Sequence, residues 1–388
     1  MENASINNVF KYLFELVNIP SYGIIDRNHP IINYLKNQLN ECEIIENIDS
    51  NGNTHLLVGV NCKLNNLDHA ILLSGHIDTV KESEGHHPNA VVNKDYIEGL
   101  GTSDMKAFFA SVLSQIDYLK SLDEPIILSI TSDEETKLEG VKINIEELSK
   151  RNINIDFAII GEPTNLDYCV SSRGNTIYVS VMNGKACHSS TPELGVNAIE
   201  LEAEFISEIK KVCNEYPSAS ICITSMSGGR VPSNVVPDEC SLCFGVRTSD
   251  RKTLNKIYNY LLIKHNEISN CYGESKLFSV LEFPPFERSE NFFTNYAKDN
   301  KINMVDAKYS TEAGCFQRKF PNANMVIYGP GDPTNIHKAG ENIPGDNLLR
   351  YQEEFIKLIE HYLENKKQGV LENKKLVYSK KEKEKVVG

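Results

Sequence analysis

No stretch of this 388-residue chain approaches the ~18 consecutive apolar residues that a membrane-spanning helix needs. Met1 to Pro20 also lacks a basic start, a continuous apolar run and a small-residue cleavage site, so no secretory leader is expected. Positive charge is scarce: 40 Lys and Arg stand against 53 Asp and Glu, a formal net charge of −13. That balance argues against general nucleic-acid binding, which needs a basic face to displace counterions. A Gly-x-Ser-x-Gly elbow, a P-loop and any internal repeat are all missing. The ten cysteines do not resemble a secreted disulfide framework, so free thiols in a reducing cytoplasm are the expectation. Cys240 and Cys243 have zinc-ribbon spacing, but they lie in a strand-like run with no second pair nearby. An offset of three points two strand residues to opposite faces, which speaks against a structural zinc there.

What is present is an ordinary globular composition, 24% charged and 40% apolar, in a chain long enough for two domains. Val9, Phe10, Leu13, Phe14 and Val17 recur at helical spacing and predict a first amphipathic helix. From about residue 55 to 165, buried strands alternate with helices. His55 to Val60, Ala70 to Ser74, Pro125 to Thr131 and Asp156 to Gly161 read as strands, and Met105 to Leu119 as a helix. This alternation is the mark of an α/β layer architecture. After Gly174 it changes: four strand-like runs and two helices, Val196 to Cys213 and Thr253 to Ile268, predict an inserted α+β unit. Strand–helix alternation resumes with a strand at Met325 to Tyr328 and a helix at Asn347 to Leu363. The Lys- and Glu-rich residues beyond Asn365 read as a frayed tail.

Metal-capable residues gather where apolar strands end, which is where open α/β sheets place their sites. His76 and Asp78 follow one such strand at a spacing of two, suiting an imidazole ligand and a carboxylate that fixes its tautomer. Asp104 follows a Gly-containing turn at a helix mouth, where it can bridge two cations or simply cap the helix. Asp133-Glu134-Glu135 come directly after a buried strand. Three consecutive acids repel unless a cation sits between them, and adjacent glutamates can divide metal binding from proton transfer. Glu162 lies just past another strand, and His337 in the Gly/Pro-rich loop Gly329 to Asn342. Each signal is weak alone; together they make a ligand set for two divalent ions.

In order and wording these five segments resemble the acetylornithine deacetylase, succinyl-diaminopimelate desuccinylase and carboxypeptidase G2 family of co-catalytic zinc amidohydrolases. The resemblance spans about residues 5 to 365. It implies a three-layer zinc-peptidase-like catalytic domain over 1–173 and 287–365, with a ferredoxin-like lid and dimerisation domain over 174–286. Residues 366–388 are left as the charged tail. It further implies that His76 and Glu162 bind one zinc ion and Glu135 and His337 the other, cobalt being a possible substitute. Asp104 matches the bridge, Glu134 the general base and Asp78 the residue orienting His76. In the lid, the segment around His188 resembles the motif whose His reaches the partner subunit's site and stabilises the oxyanion. Asn234, in the loop Gly228 to Pro237, and Arg247 match substrate-contacting positions.

The implied reaction is attack of an activated water on the amide of a small N-acyl amino acid, in a cytoplasmic homodimer. Ser310-Thr-Glu312-Ala resembles the acetylornithine deacetylases in particular, which implies N-acetylornithine as substrate, a place in arginine biosynthesis, and Glu312 as partner of a substrate ammonium group. N-succinyl-diaminopimelate, N-acetylcitrulline and dipeptides remain open. An inactive scaffold of the same fold is disfavoured because no ligand and no base is missing.

Overall fold

A computed structural model of the protein describes residues 2–85, 89–229, 234–269 and 274–368. Its centre is an eight-stranded sheet. In spatial order the strands are Glu43–Ile48, Thr54–Val60, Ile126–Thr131, Ile71–His76, Phe157–Ile160, Asn324–Ile327, Tyr168–Ser172 and Met304–Ala307. The middle four run parallel, in register from Ile71 against Ile126 and Phe157, and from Asn324 against Phe157. The strands beside Ile126–Thr131 and Asn324–Ile327 pair antiparallel to them.

The central strands are apolar throughout because both faces are covered. Their side chains alternate between two cores. Phe157, Ile159, Ile71 and Leu73 point to one face, against Leu13, Phe108, Phe293 and Phe355. Ala158, Ile160 and Leu72 point to the other, against Val141, Leu148 and Phe316. The result is three layers, helix–sheet–helix. The first helix, Glu2–Val17, buries Val9, Leu13 and Val17 as its spacing predicts, but leaves Phe14 42% exposed at the edge of the stripe. The helix expected over Met105 to Leu119 breaks at Gln115 into Lys106–Ser114 and Ile116–Ser121. The last helix, Gly345–Lys367, continues two residues past Asn365, where fraying is the expectation. Lys366 holds it, with Nζ 2.9 Å from Glu124 Oε2. The rest of the expected tail, residues 369–388, lies outside the described residues.

Between Gly174 and Phe283 the chain builds a separate four-stranded antiparallel sheet, in the order Ser220–Gly228, Glu239–Thr248, Gly174–Asn183, Lys276–Phe283. Helices Ala198–Glu215 and Arg251–Ser269 complete a β-α-β-β-α-β order, the split βαβ arrangement of ferredoxin-like folds. Gly174–Asn183 alternates buried and half-buried along its whole length, so one face meets the helices through Tyr178, Phe205, Phe244 and Leu261. No helix of the described residues is long and apolar enough to cross a membrane. The nine cysteines among the described residues are all free.

Candidate metal centre

The four parallel strands end side by side, and each delivers part of one cluster. His76 is the last residue of its strand, Asp133 to Glu135 follow Thr131, Glu162 follows Ile160, and His337 sits in the loop after Ile327. Asp104 arrives separately, on the Gly99 to Asp104 turn ahead of helix Lys106–Ser114. Two glycines let these segments close up. A Cβ at Gly331 would stand 2.2 Å from the Ser103 carbonyl oxygen, and one at Gly161 would stand 2.1 Å from the Phe108 ring. Any side chain at either point would push a ligand-bearing loop away.

The geometry is that of two triads sharing one carboxylate. His76 Nε2 lies 3.1 Å from Asp104 Oδ1 and 3.8 Å from Glu162 Oε2. His337 Nε2 lies 3.0 Å from Asp104 Oδ2 and 2.7 Å from Glu135 Oε1. Within each triad the ligand atoms all fall within 4.8 Å of one another. Asp104 thus turns one oxygen to each histidine. Glu134 stands half-buried beside this cluster.

Electrostatics say the same. Burial alone would lower the His76 pKa, but Asp104, Asp78 and Glu162 outweigh it and hold the ring well above its ordinary range. Asp104 and Glu135 raise His337 to about 10. Burial, and then the charge of Glu162, push the Glu134 carboxyl well above the carboxylate range. The carboxylates are calling protons onto the two imidazoles, which a cation at each triad would displace. Glu162 supplies a second sign: its Oε1 is buried and meets no hydrogen-bond partner. An acceptor orphaned in this way fits a cation. The donors are imidazole nitrogen and carboxylate oxygen, which suit zinc and its neighbours.

The supporting residues refine the sequence expectations. His76 Nδ1 donates to the Asp78 backbone carbonyl at 2.9 Å, which leaves the Nε2 lone pair facing the triad. The Asp78 carboxylate is farther, 3.6 Å away, and instead accepts from the Glu134 and Glu135 N–H groups at 3.2 and 3.0 Å. The tautomer is therefore set mainly by the main chain of Asp78, while its side chain aims the two glutamates. Asp133 turns from the cluster and caps helix Glu139–Lys150 through the N–H groups of Glu139 and Gly140.

A third group, Asp49, His55 and Asp133, has comparable spacing and full burial. It is not a cation site. His55 Nδ1 accepts the Ser132 N–H, so the ring proton sits on Nε2, facing Asp49 Oδ2 at 3.6 Å, and neither nitrogen has a lone pair to give.

Glu312 requires a correction. It is fully buried, and its two oxygens accept from the Ser74 hydroxyl at 2.9 Å and from the Thr131 hydroxyl. Both partners sit on the sheet strands beneath the cluster, so Glu312 braces those strands and does not face a substrate ammonium group. His188 is exposed, and its Nδ1 bonds within its own loop, to Ser190, not to the triads. The exposed Asn234 is joined to that loop, its carbonyl accepting the Ser189 N–H at 2.9 Å. Residues 230–233 of the expected substrate loop lie outside the described residues. Arg247 reaches from the inserted sheet to Ser310 Oγ at 3.3 Å. Next to it Tyr309 donates to the Pro163 carbonyl at 2.8 Å, placing an unforeseen ring against the Glu162 loop. Nothing in the sequence marks Tyr309 beyond its neighbourhood to Ser310.

Comparison with known proteins gives the same family. Residues 72–361 match the model described as peptidase family M20/M25/M40. The acetylornithine deacetylase of Aliivibrio salmonicida is 30% identical over 321 residues, covering 77% of this chain and 82% of that protein. That of Buchnera aphidicola from Schizaphis graminum is 27% identical over 92% of this chain and 98% of its own. Among solved structures, a tripeptidase from Staphylococcus aureus superposes with a TM-score of 0.71 at 22% identity, covering 91% of this chain and 97% of that one. A dinuclear metal-binding M20 peptidase from Bacillus subtilis does so at 0.62 and 15%, covering 93% and 99%. Matched over most of its length, and carrying two triads that share a carboxylate, the chain belongs to peptidase family M20/M25/M40 and is a metal-dependent amidohydrolase.

Proposed function

We propose that this protein removes the acetyl group from N2-acetyl-L-ornithine, releasing L-ornithine and acetate, as a cytoplasmic homodimer holding two zinc ions per subunit. The observation that carries the reading is the sharing of Asp104 between His76–Glu162 and Glu135–His337. The acetylornithine deacetylases at 30% identity and above supply the substrate class. His76 and Glu162 would hold one ion and Glu135 and His337 the other, with Asp104 available to both. When bound, such a pair lowers the pKa of a water toward ~7 and polarises an amide carbonyl.

The chain's own groups do the rest. Glu134, beside both triads and part of neither, takes the proton of the attacking water and returns it to the leaving nitrogen. Asp78 keeps Glu134 and Glu135 aimed by holding their N–H groups. Residues 1–173 and 287–365 act as the catalytic body. The unit over 174–286 acts as lid and dimer contact, bringing His188 of one subunit to the oxyanion in the other. Arg247 and Asn234 receive the substrate carboxylate end. Pairing of two copies would give a task to His188, which is exposed and bonded to Ser190 of its own loop.

The test is amine release from N-acetylornithine by purified protein loaded with Zn²⁺ or Co²⁺, against a chelated sample. N-succinyl-diaminopimelate, N-acetylcitrulline and a tripeptide run in parallel. Metal-dependent turnover fastest on N-acetylornithine is expected. Preference for another substrate overturns the substrate assignment and keeps the chemistry; no turnover of any of them by the metal-loaded protein overturns both.

A further inference from the structure

Four residues after His337 stands Glu341, 2% exposed and facing inward. One oxygen, Oε1, accepts three backbone N–H groups: Gly101 at 3.0 Å, Ser103 at 2.9 Å and Asp104 at 3.1 Å. These are the residues of the turn that delivers the shared carboxylate. Its own carbonyl accepts the Gly99 N–H at 2.8 Å, and the next carbonyl, of Asn342, accepts the Ser103 hydroxyl at 2.8 Å. The turn is therefore gripped along its length by two consecutive residues of the His337 loop.

That grip joins two things that otherwise have no reason to keep their distance. Asp104 and His337 come from segments more than two hundred residues apart in sequence, yet Asp104 Oδ2 must sit opposite His337 Nε2 while Oδ1 sits opposite His76. Gly101 has φ +86°, and the backbone of His337 is itself in the left-handed region at φ +57°. Glycine takes such a φ freely, but a left-handed histidine persists only where surrounding contacts over-determine it. A carboxylate cradled by successive main-chain N–H groups is a strong, directional restraint. Three N–H groups on one oxygen call for a charged acceptor, which a neutral amide replaces only in part.

We propose that Glu341 is a positioning residue of the dinuclear site: acting through Asp104, it sets the span over which that carboxylate bridges the two cations. The inference rests on the two-cation reading above. Supporting partners of metal ligands typically change affinity or activity by about 10–100-fold when removed. The consequences for Glu341 are specific. Its loss weakens cation binding, most at the second equivalent, because filling both triads at once requires Asp104 to serve both. It lowers kcat and leaves KM nearly unchanged, since Glu341 touches no substrate.

The experiment compares wild type, Glu341→Gln and Glu341→Ala, each stripped and titrated with Co²⁺ alone. Calorimetry reads the two affinities, and the visible absorption and electron paramagnetic resonance of the loaded forms read the ligand geometry and the coupling between ions. Glu341→Ala is expected to bind the second Co²⁺ at least tenfold more weakly, with diminished coupling and a parallel fall in kcat. Glu341→Gln keeps an acceptor oxygen and should fall between the two, which decides the matter if the alanine variant does not fold. Two Co²⁺ bound at wild-type affinity with an unchanged spectrum in the folded variants overturns the proposal and leaves the amidohydrolase reading intact. A wild type that binds fewer than two ions overturns that reading, and this proposal with it.

Discussion

Among the acids of the cluster, position separates residues that composition cannot. Asp133, Glu134 and Glu135 are consecutive and chemically alike, but Asp133 caps a helix, Glu135 faces His337, and Glu134 is left beside the triads with its carboxyl pushed up by burial. For Glu134→Gln we expect kcat to fall by about 10²- to 10⁴-fold, the usual weight of a general base. Both cations should still bind, as read by metal analysis of the dialysed variant. Undiminished kcat would remove Glu134 from the chemistry. Glu312 makes the opposite case. It reads in the sequence like a substrate contact, and only its burial between Ser74 and Thr131 shows that it is a brace. Glu312→Ala removes one buried partner from each hydroxyl, leaving Ser74 only the Ser129 carbonyl at 3.3 Å and Thr131 only that of Gly75 at 3.2 Å, at a combined cost of about 1–3 kcal/mol. Urea unfolding should therefore show lost stability in Glu312→Ala, with KM for N-acetylornithine held; a large rise in KM without loss of stability would restore the ammonium role.

Strands and helices were legible for a simple reason: apolar runs and helical spacing are local signals, and the two cores of the large sheet demand both faces of every central strand. What spacing could not show is how an element is held. Helix Ala198–Glu215 carries Glu202, fully buried and bonded to Ser180 Oγ across the sheet. Burial raises this carboxyl from the ordinary 4.5 to about 7. The folded state then holds a proton that the unfolded state has released between those values, so Glu202 costs stability as pH rises through that window. At 1.36 kcal/mol per unit the cost approaches at most ~3 kcal/mol above pH 7. Glu202→Gln should raise the Tm at pH 8 and change it little at pH 4.5, measured by thermal unfolding across pH. A Tm at pH 8 equal to or below wild type would show that the carboxylate is relaxed by solvent.

At the scale of the molecule, the proposed dimer would give the exposed His188 of the inserted unit a task at the partner's site. His188→Ala and Glu134→Gln should each be inactive alone. If His188 serves the partner's site, unfolding and refolding them together places an intact Glu134 opposite an intact His188 in one site of each mixed dimer. Recovery of about a quarter of wild-type turnover is then expected for random pairing in a two-fold dimer. Failure to recover activity in mixed dimers, confirmed as dimers by sedimentation, would put His188 in its own subunit's service or in none.

The sequence by itself determined the elements and the chemistry of their ends. Apolar runs placed the strands, glycine and acid-rich loops followed them, and the order of motifs named both the family and the ligand types. It could do so because parallel strands buried on both faces turn polar only at their ends, and ligands collect at the carboxyl ends. Tertiary structure alone decided which acid does what. That Asp104 lies between His76 and His337, that Glu312 is sealed under the cluster, that His55 is closed to cations by the Ser132 N–H, and that Glu341 grips the turn of Asp104 all depend on segments meeting from distant parts of the chain. No local pattern encodes those distances; close packing of the loops over the strand ends sets them.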